Sequence, residues 1–131
     1  MLLIDSDLLI DAARNDARAR AFIADAATHH LIATSTVTRM ELLAGCRNPT
    51  EWRHTEAALG AFRHLPLTPE ISAAALRIFG QYRLSHGTGL ADALIAATAI
   101  VHAIPLASKN QKHFRAIADL DLIPWPASVL P

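Results

Sequence analysis

The sequence predicts an α/β domain with a largely parallel sheet covered by helices on both faces. Three observations lead there. Short, nearly continuous apolar runs stand at residues 2–4 (LLI), 30–34 (HLIAT), 104–107 (IPLA) and 121–124 (DLIP). Between them lie segments whose apolar residues recur at helical spacing. The runs do not alternate with polar residues as they would in a sheet with one wet face, so they read as strands buried on both sides.

Residues 2–4 make the first strand, which stops at Asp5, and Ser6 to Ala13 turn directly into a helix. Over residues 15–27, Ala19, Phe22, Ile23 and Ala26 share one helical face. Residues 30–34 form the second strand, and Ser35 opens a third helix with Val37, Met40, Leu43 and Ala44 inward and Gly45 as its stop. Pro49 starts a helix through about Arg63, LPL at 65–67 is a brief extended link, and Thr68-Pro69-Glu70 caps a helix to about Ser85. Two glycines in HGTGL, at 86–90, bend the chain before the helix ADALIAATAIVHA. IPLA is the third strand, NQKHFRAIA a short helix, and DLIP a last strand before a proline-punctuated tail.

Composition narrows the class. A chain of 131 residues, 52% of them hydrophobic, supports one domain with one core, taken as residues 1–131. The longest weakly polar stretch, residues 93–107, is interrupted by His102 and Pro105 and is too short to span a bilayer. Asp5, Asp7 and Asp11 fall inside the only candidate for a secretory signal, which makes the cytoplasm the expected location. The lone Cys46 has no internal disulfide partner and agrees with a reducing compartment. Lys plus Arg, 12 in all, balance 12 Asp plus Glu, so nucleic acid would have to be met by a local basic patch.

In parallel sheets, sites collect outside the carboxyl ends of the strands. Asp5 ends the first strand, Glu41 lies within two turns of the helix after the second, Asp92 begins the helix leading to the third, and Asn110 follows the third. Each has an ordinary structural reading. Asp5 or Asp7 could cap a helix, Thr38-Arg39-Met40-Glu41 matches a capping box, and Asp92 suits a helix dipole. Taken together, they are carboxylates with apolar neighbours that would repel one another and take up protons unless a cation held them ionised. An oxygen-only donor set suits Mg²⁺ or Mn²⁺, ions that serve phosphodiester chemistry. The histidines and Cys46 show no zinc-ligand spacing. SKNQKHFR at 108–115 is the densest basic group, and Lys109, Lys112, His113 and Arg115 are candidate phosphate contacts, with Arg39 and Arg47 near Glu41; the alternative is a solvated helix face.

MLLIDSDLLI, TRMELLAG, GLADALIAATA and IPLASKNQKHF with a terminal strand resemble, in order and spacing over residues 1–124, the PIN-domain ribonucleases. The resemblance is nearest to the VapC-type toxins of prokaryotic toxin–antitoxin pairs. It implies a PIN-like three-layer α/β/α sandwich with a short, mostly parallel central sheet. It also implies a Mg²⁺- or Mn²⁺-dependent endoribonuclease that cleaves transfer or ribosomal RNA by attack of water on a phosphodiester. By resemblance, Asp5, Glu41 and Asp92 are the catalytic, metal-binding acids and Ser6 fills the small hydroxyl position after the first. A homodimer, and a VapB-type antitoxin whose tail fills the active-site groove, are implied as well. The chain departs from the pattern at Asn110, where many relatives carry a fourth acid; an amide brings no charge, so a second metal would bind weakly. Asp7 is a candidate supporting group.

Two rivals from other classes share these residues. Asp5-Ser6-Asp7 after an apolar strand fits a haloacid-dehalogenase-like phosphatase, with Asp5 as nucleophile and Asp7 as general acid. That reading wants a glycine–aspartate metal motif, which LADA at 90–93 does not supply, and it leaves Glu41 without a role. The other rival is a non-catalytic module whose acidic pocket receives a basic partner segment.

Overall fold

The structure, a computed structural model, describes residues 1–126. Its elements are β1 (Leu2–Ile4), α1 (Ser6–Ala13), α2 (Ala17–His29), β2 (Ile32–Ser35), α3 (Thr36–Ala44), α4 (Pro49–Leu59), β3 (Arg63–Leu65), α5 (Pro69–His86), α6 (Leu90–Val101), β4 (Leu106–Ala107), α7 (Gln111–Phe114) and β5 (Leu122–Ile123). The five strands lie in the order β3-β2-β1-β4-β5, and every pairing is parallel. The expected α/β architecture is therefore present. The end of the proline-punctuated tail, residues 127–131, lies outside the described residues.

The pleat of β1 explains the two helical layers, because successive side chains of a strand point to opposite faces. Leu3 enters one core with Ile71, Ile78, Ile95 and Phe114, beneath α5, α6 and α7. Leu2 and Ile4 enter the other with Leu8, Phe22 and Ala26, beneath α1 and α2. All three β1 residues are fully buried, which is why the strand reads as an unbroken apolar run. Small residues on α6, among them Ala93, Ala96, Ala97 and Ala99, are buried and let that helix lie close against its neighbours.

Most helix starts are written in side chains. Asp16, Ser35, Asn48 and Thr68 each accept a hydrogen bond from the backbone N–H three residues on. At the other end of α5, Gly87 takes φ 68°, the left-handed conformation that a glycine adopts without a Cβ clash.

The strand β3 corrects the sequence reading. The helix expected through Arg63 stops at Leu59, and the chain re-enters the sheet at Arg63–Leu65 rather than forming a mere link at 65–67. Its register is Ala33↔Arg63, Thr34↔His64 and Ser35↔Leu65. Arg39 is the reason it can do so. Its Nη2 donates to the carbonyls of Leu59 and Phe62 at 3.2 and 2.9 Å, and its Nε donates to Thr34 Oγ1 at 2.9 Å. One guanidinium thus closes the C-terminal end of α4 and ties the turn into β3 to the neighbouring strand.

Replacing Arg39 by Ala is expected to lower stability by about 2–3 kcal/mol, since three charge-assisted hydrogen bonds across the α4–β3 turn are lost together. Urea unfolding of the two proteins measures this; a difference below about 0.5 kcal/mol would contradict the role given to Arg39.

Candidate active site

The carboxyl ends of β1, β2 and β4 meet at one edge, and Asp5 is its deepest acid. Its backbone N–H donates to Ala107 O at 2.9 Å, so the residue after β1 is fixed beside the end of β4. The chain is extended at Asp5, with φ −73° and ψ 157°, and turns into α1 immediately afterwards. The carboxylate Oδ1 accepts the Ser6 N–H at 2.8 Å, and Oδ2 accepts the Ser108 hydroxyl at 2.8 Å. Asp5 is only 3% exposed. Burial and the charge of nearby Asp7 push its carboxyl up to about 6, against the lowering effect of the Ser108 and Ser6 hydrogen bonds.

Glu41 arrives from α3. Ser35, not Thr38, caps that helix, with its Oγ accepting the Thr38 N–H at 3.0 Å. The capping-box reading therefore fails, and Glu41, a turn further on, reaches across to α1, where it accepts the Ser6 hydroxyl at 3.1 Å. It is more exposed than the sequence suggested. Partial burial still raises its pKa, opposed by the Ser6 bond and helped by the charges of Asp92 and Asp7.

Asp92 stands in the first turn of α6, whose cap is Gly89 and has no side chain to offer. The helix dipole favours its negative charge there. Its Oδ2 lies 3.1 Å from His113 Nδ1. Burial raises its pKa, and the neighbouring His113 opposes that rise. Asp7 has a different environment. Its Oδ1 accepts the Leu8 N–H at 2.7 Å, and its Oδ2 accepts the N–H groups of Lys109 and Asn110 at 3.0 and 3.1 Å. Burial again raises its pKa against those bonds.

The structure redistributes the cations proposed from the sequence. Arg39 is engaged in the α4–β3 turn and is not a free phosphate contact. Arg47 lies past the end of α3 and pairs with Glu51 at 2.9 Å. The Lys109 ammonium pairs with Asp11, and His113 with Asp92. Lys112 and Arg115 are exposed on and just after α7, which the buried Phe114 anchors. The exposed Asn110 turns its backbone N–H toward Asp7 and Ser108.

Ser108 and His113 contact the acids directly, whereas the sequence presents Ser108 only as part of a basic stretch and His113 only as a cation. The signal for Ser108 was register: Ile4 pairs with Ala107, so the residues that come after each strand are neighbours.

The donor set bears on whether the site suits a metal. Burial raises the pKa of Asp5 and of Glu41, the charges of Asp7 and Asp92 add to that rise, and among the described residues neither acid has a basic side chain as a hydrogen-bond partner. Among the described residues, no group of three or more His, Cys, Asp and Glu side chains is arranged to hold a metal ion directly. The arrangement therefore fits a hard cation that keeps most of its water and takes one or two carboxylates directly, as Mg²⁺ does, rather than a closed protein cage. From Glu41 a cleft of about 530 Å³ runs past Arg14, Cys46 and His54. It adjoins an apolar groove of about 590 Å³ between α1, α2 and α4, with which it shares Ala13, Leu42, His54 and Thr55.

A family model described as the PIN domain matches residues 2–120. The chain belongs to the PIN domain family. Ribonuclease VapC10 of Mycobacterium tuberculosis is 40% identical to it over 115 residues, covering 87% of this chain and 86% of that protein. Ribonuclease VapC19 of the same organism is 37% identical over 122 residues, covering 92% and 97%. Among solved structures, a toxin–antitoxin complex from Klebsiella pneumoniae superposes with a TM-score of 0.79 at 26% identity, over 95% of this chain and 97% of that one.

In this PIN domain the raised pKa of Asp5 has a stability consequence with a definite sign. A carboxyl that titrates near 3.8 when unfolded and near 6 when folded binds its proton more tightly in the native state. Its penalty is absent below pH 3.8, grows as pH rises, and is complete above about 6. Without added metal, Asp5→Asn should therefore be as stable as the parent near pH 4 and more stable by about 2–3 kcal/mol at pH 7. Urea unfolding across that range tests it; a parent that gains on the variant as pH rises would reverse the sign.

Proposed function

We propose that this chain is a VapC-type toxin, an endoribonuclease that depends on Mg²⁺ or Mn²⁺ and cuts transfer or ribosomal RNA. The observation that carries this reading is the convergence of Asp5, Glu41 and Asp92 from three elements, with the pKa of each raised and, among the described residues, only Asp92 paired with an imidazole. Such a cluster is an unfavourable arrangement that a divalent cation relieves. The names of the relatives support ribonuclease chemistry, and the family resemblance supplies the RNA class.

Asp5, Glu41 and Asp92 would hold the ion, directly or through its waters. When bound, it acidifies the attacking water and neutralises the charge that develops on the phosphodiester. The chain's own groups supply position. Ser6 holds the Glu41 carboxylate across the α1–α3 junction, His113 holds Asp92, and Lys112 and Arg115 offer exposed charge for the RNA backbone. Water attacks phosphorus and one flanking P–O bond breaks. With Asn110 in place of an acid, a single tightly held ion is the expected stoichiometry.

A cognate VapB-type antitoxin is the proposed inhibitor, and the Klebsiella neighbour is by name a toxin–antitoxin complex. The groove lined by Leu9, Ile23, Leu42, Ala58 and Phe62 suits the apolar face of an amphipathic helix, and its continuity with the cleft at Glu41 would lead a further segment to the acids. The family's homodimer would cover the exposed Leu76 and Leu90, which line one shallow apolar pocket on α5 and α6. No helix among the described residues is long and apolar enough to cross a membrane, and the proposed place of action is the cytoplasm, where the RNA is.

The phosphatase rival weakens on one point. Both Asp7 oxygens accept backbone N–H bonds, which leaves that residue poorly suited to donate a proton.

The test is cleavage of a mixed transfer and ribosomal RNA pool by antitoxin-free protein, with Mg²⁺, with Mn²⁺ and with chelator. Discrete cuts that require metal are expected, with Asp92→Asn and Glu41→Gln slower by about 100-fold or more. Cuts that persist in chelator, or an Asp92→Asn protein of parental activity, would overturn the assignment. Folded protein that cuts nothing in the pool would favour the binding-module reading.

A further inference from the structure

We infer that Ser108 is the positioning residue of Asp5, and that Asp7 serves the site through Ser108, as the anchor of the 108–110 loop, rather than as a ligand of the ion. This rests on the metal-dependent reading and deepens it.

A carboxylate that must present lone pairs to a cation needs its plane fixed. Asp5 receives one close donor on each oxygen, the Ser6 N–H from α1 and the Ser108 hydroxyl from the end of β4; the Ser6 hydroxyl, 3.5 Å from Oδ1, has its shorter contact with Glu41 at 3.1 Å. Each oxygen keeps a second acceptor site. Those remaining sites are what a metal or its waters can use.

The Ser108 proton has a defined direction. Ser108 is 1% exposed, and its Oγ accepts the Asn110 N–H at 3.0 Å. Its own hydrogen then points to Asp5 Oδ2 at 2.8 Å in preference to Asp7 Oδ2 at 3.3 Å. Asp7 has less to offer a cation than Asp5. Its Oδ2 takes the N–H groups of Lys109 and Asn110 and its Oδ1 that of Leu8, which leaves one open acceptor site on Asp7 against two on Asp5.

A second tie points the same way. Asp7 and Asp11 are four residues apart on α1 and so share a face. Asp11 takes the Lys109 ammonium, while Asp7 takes the backbone of Lys109 and Asn110. The two aspartates grip one loop, and the loop carries the hydroxyl that orients Asp5. Groups that orient a metal ligand typically change metal affinity by about 10–100-fold when removed.

The test is Mn²⁺ affinity of the antitoxin-free full chain, read by electron paramagnetic resonance, for the parent, Ser108→Ala, Asp7→Asn, the double variant and Asp5→Asn. Ser108→Ala should fold normally, because the Asn110 N–H keeps Asp7 as a partner. It should bind Mn²⁺ about 10–100-fold more weakly with native circular dichroism. Asp7→Asn should weaken binding less, and the double variant should be no worse than Ser108→Ala, since one residue acts through the other. Parental affinity in Ser108→Ala, additive losses in the double variant, or an Asp7→Asn protein as metal-blind as Asp5→Asn would each overturn the inference. An affinity that falls only in step with the folded fraction would also overturn it. A parent that takes up no Mn²⁺ would overturn the metal reading itself and the inference with it.

Discussion

A carboxylate at the end of a strand buried on both faces must be held by donors or by a cation, and the rest of this molecule is arranged around that demand at Asp5. The strand cannot be moved outward, because Leu2, Leu3 and Ile4 supply both hydrophobic cores at once. Nor can the chain simply continue, since α1 begins at Ser6. The carboxylate is therefore left where desolvation opposes its charge, with two hydrogen bonds that offset only part of the cost. One of those bonds comes from the adjacent residue, Ser6, and the other from Ser108, 103 positions along the chain.

The other acids come from helices that the sheet order brings to the same edge. With β1 between β2 and β4, the elements that leave or approach those neighbours, α3 and α6, deliver Glu41 and Asp92 beside it. Cations are kept elsewhere. Arg39 closes a helix end, Arg47 and Lys109 pair with Glu51 and Asp11, and among the described residues only His113 pairs with one of the three clustered acids. The site thus retains its negative potential, which is what a hydrated divalent ion requires.

Much of this was legible in the sequence because it depends on burial pattern. The run LLI ending in Asp, the Ala-rich helix after Asp92 and the order of the four motifs point to one sheet edge, where Asp5 ends β1 and Glu41 and Asp92 lie near the starts of α3 and α6. Less visible was whatever depends on contacts distant in sequence. The edge strand β3 is Arg-His-Leu, with two exposed polar residues, so it carries no apolar run to announce it. The capping box at Thr38 was a misreading of a real pattern; Ser35, three residues earlier, had the better geometry. Ser108 and Asp7 interact across 101 positions, and only the register of β1 against β4 reveals that they meet. The basic stretch at 108–115 looked like one surface but divides into a loop tied to α1 and exposed residues on and beyond α7.

The proposed role of this edge is to hold a divalent cation through Asp5 and its partners. The most direct measurement is anomalous diffraction from crystals of the antitoxin-free protein soaked in Mn²⁺. An anomalous peak is expected at direct coordination distance, roughly 2–2.3 Å, from at least one of the Asp5 and Asp92 carboxylates, with waters completing the shell. Well-occupied Mn²⁺ elsewhere on the surface with none at this edge would contradict it.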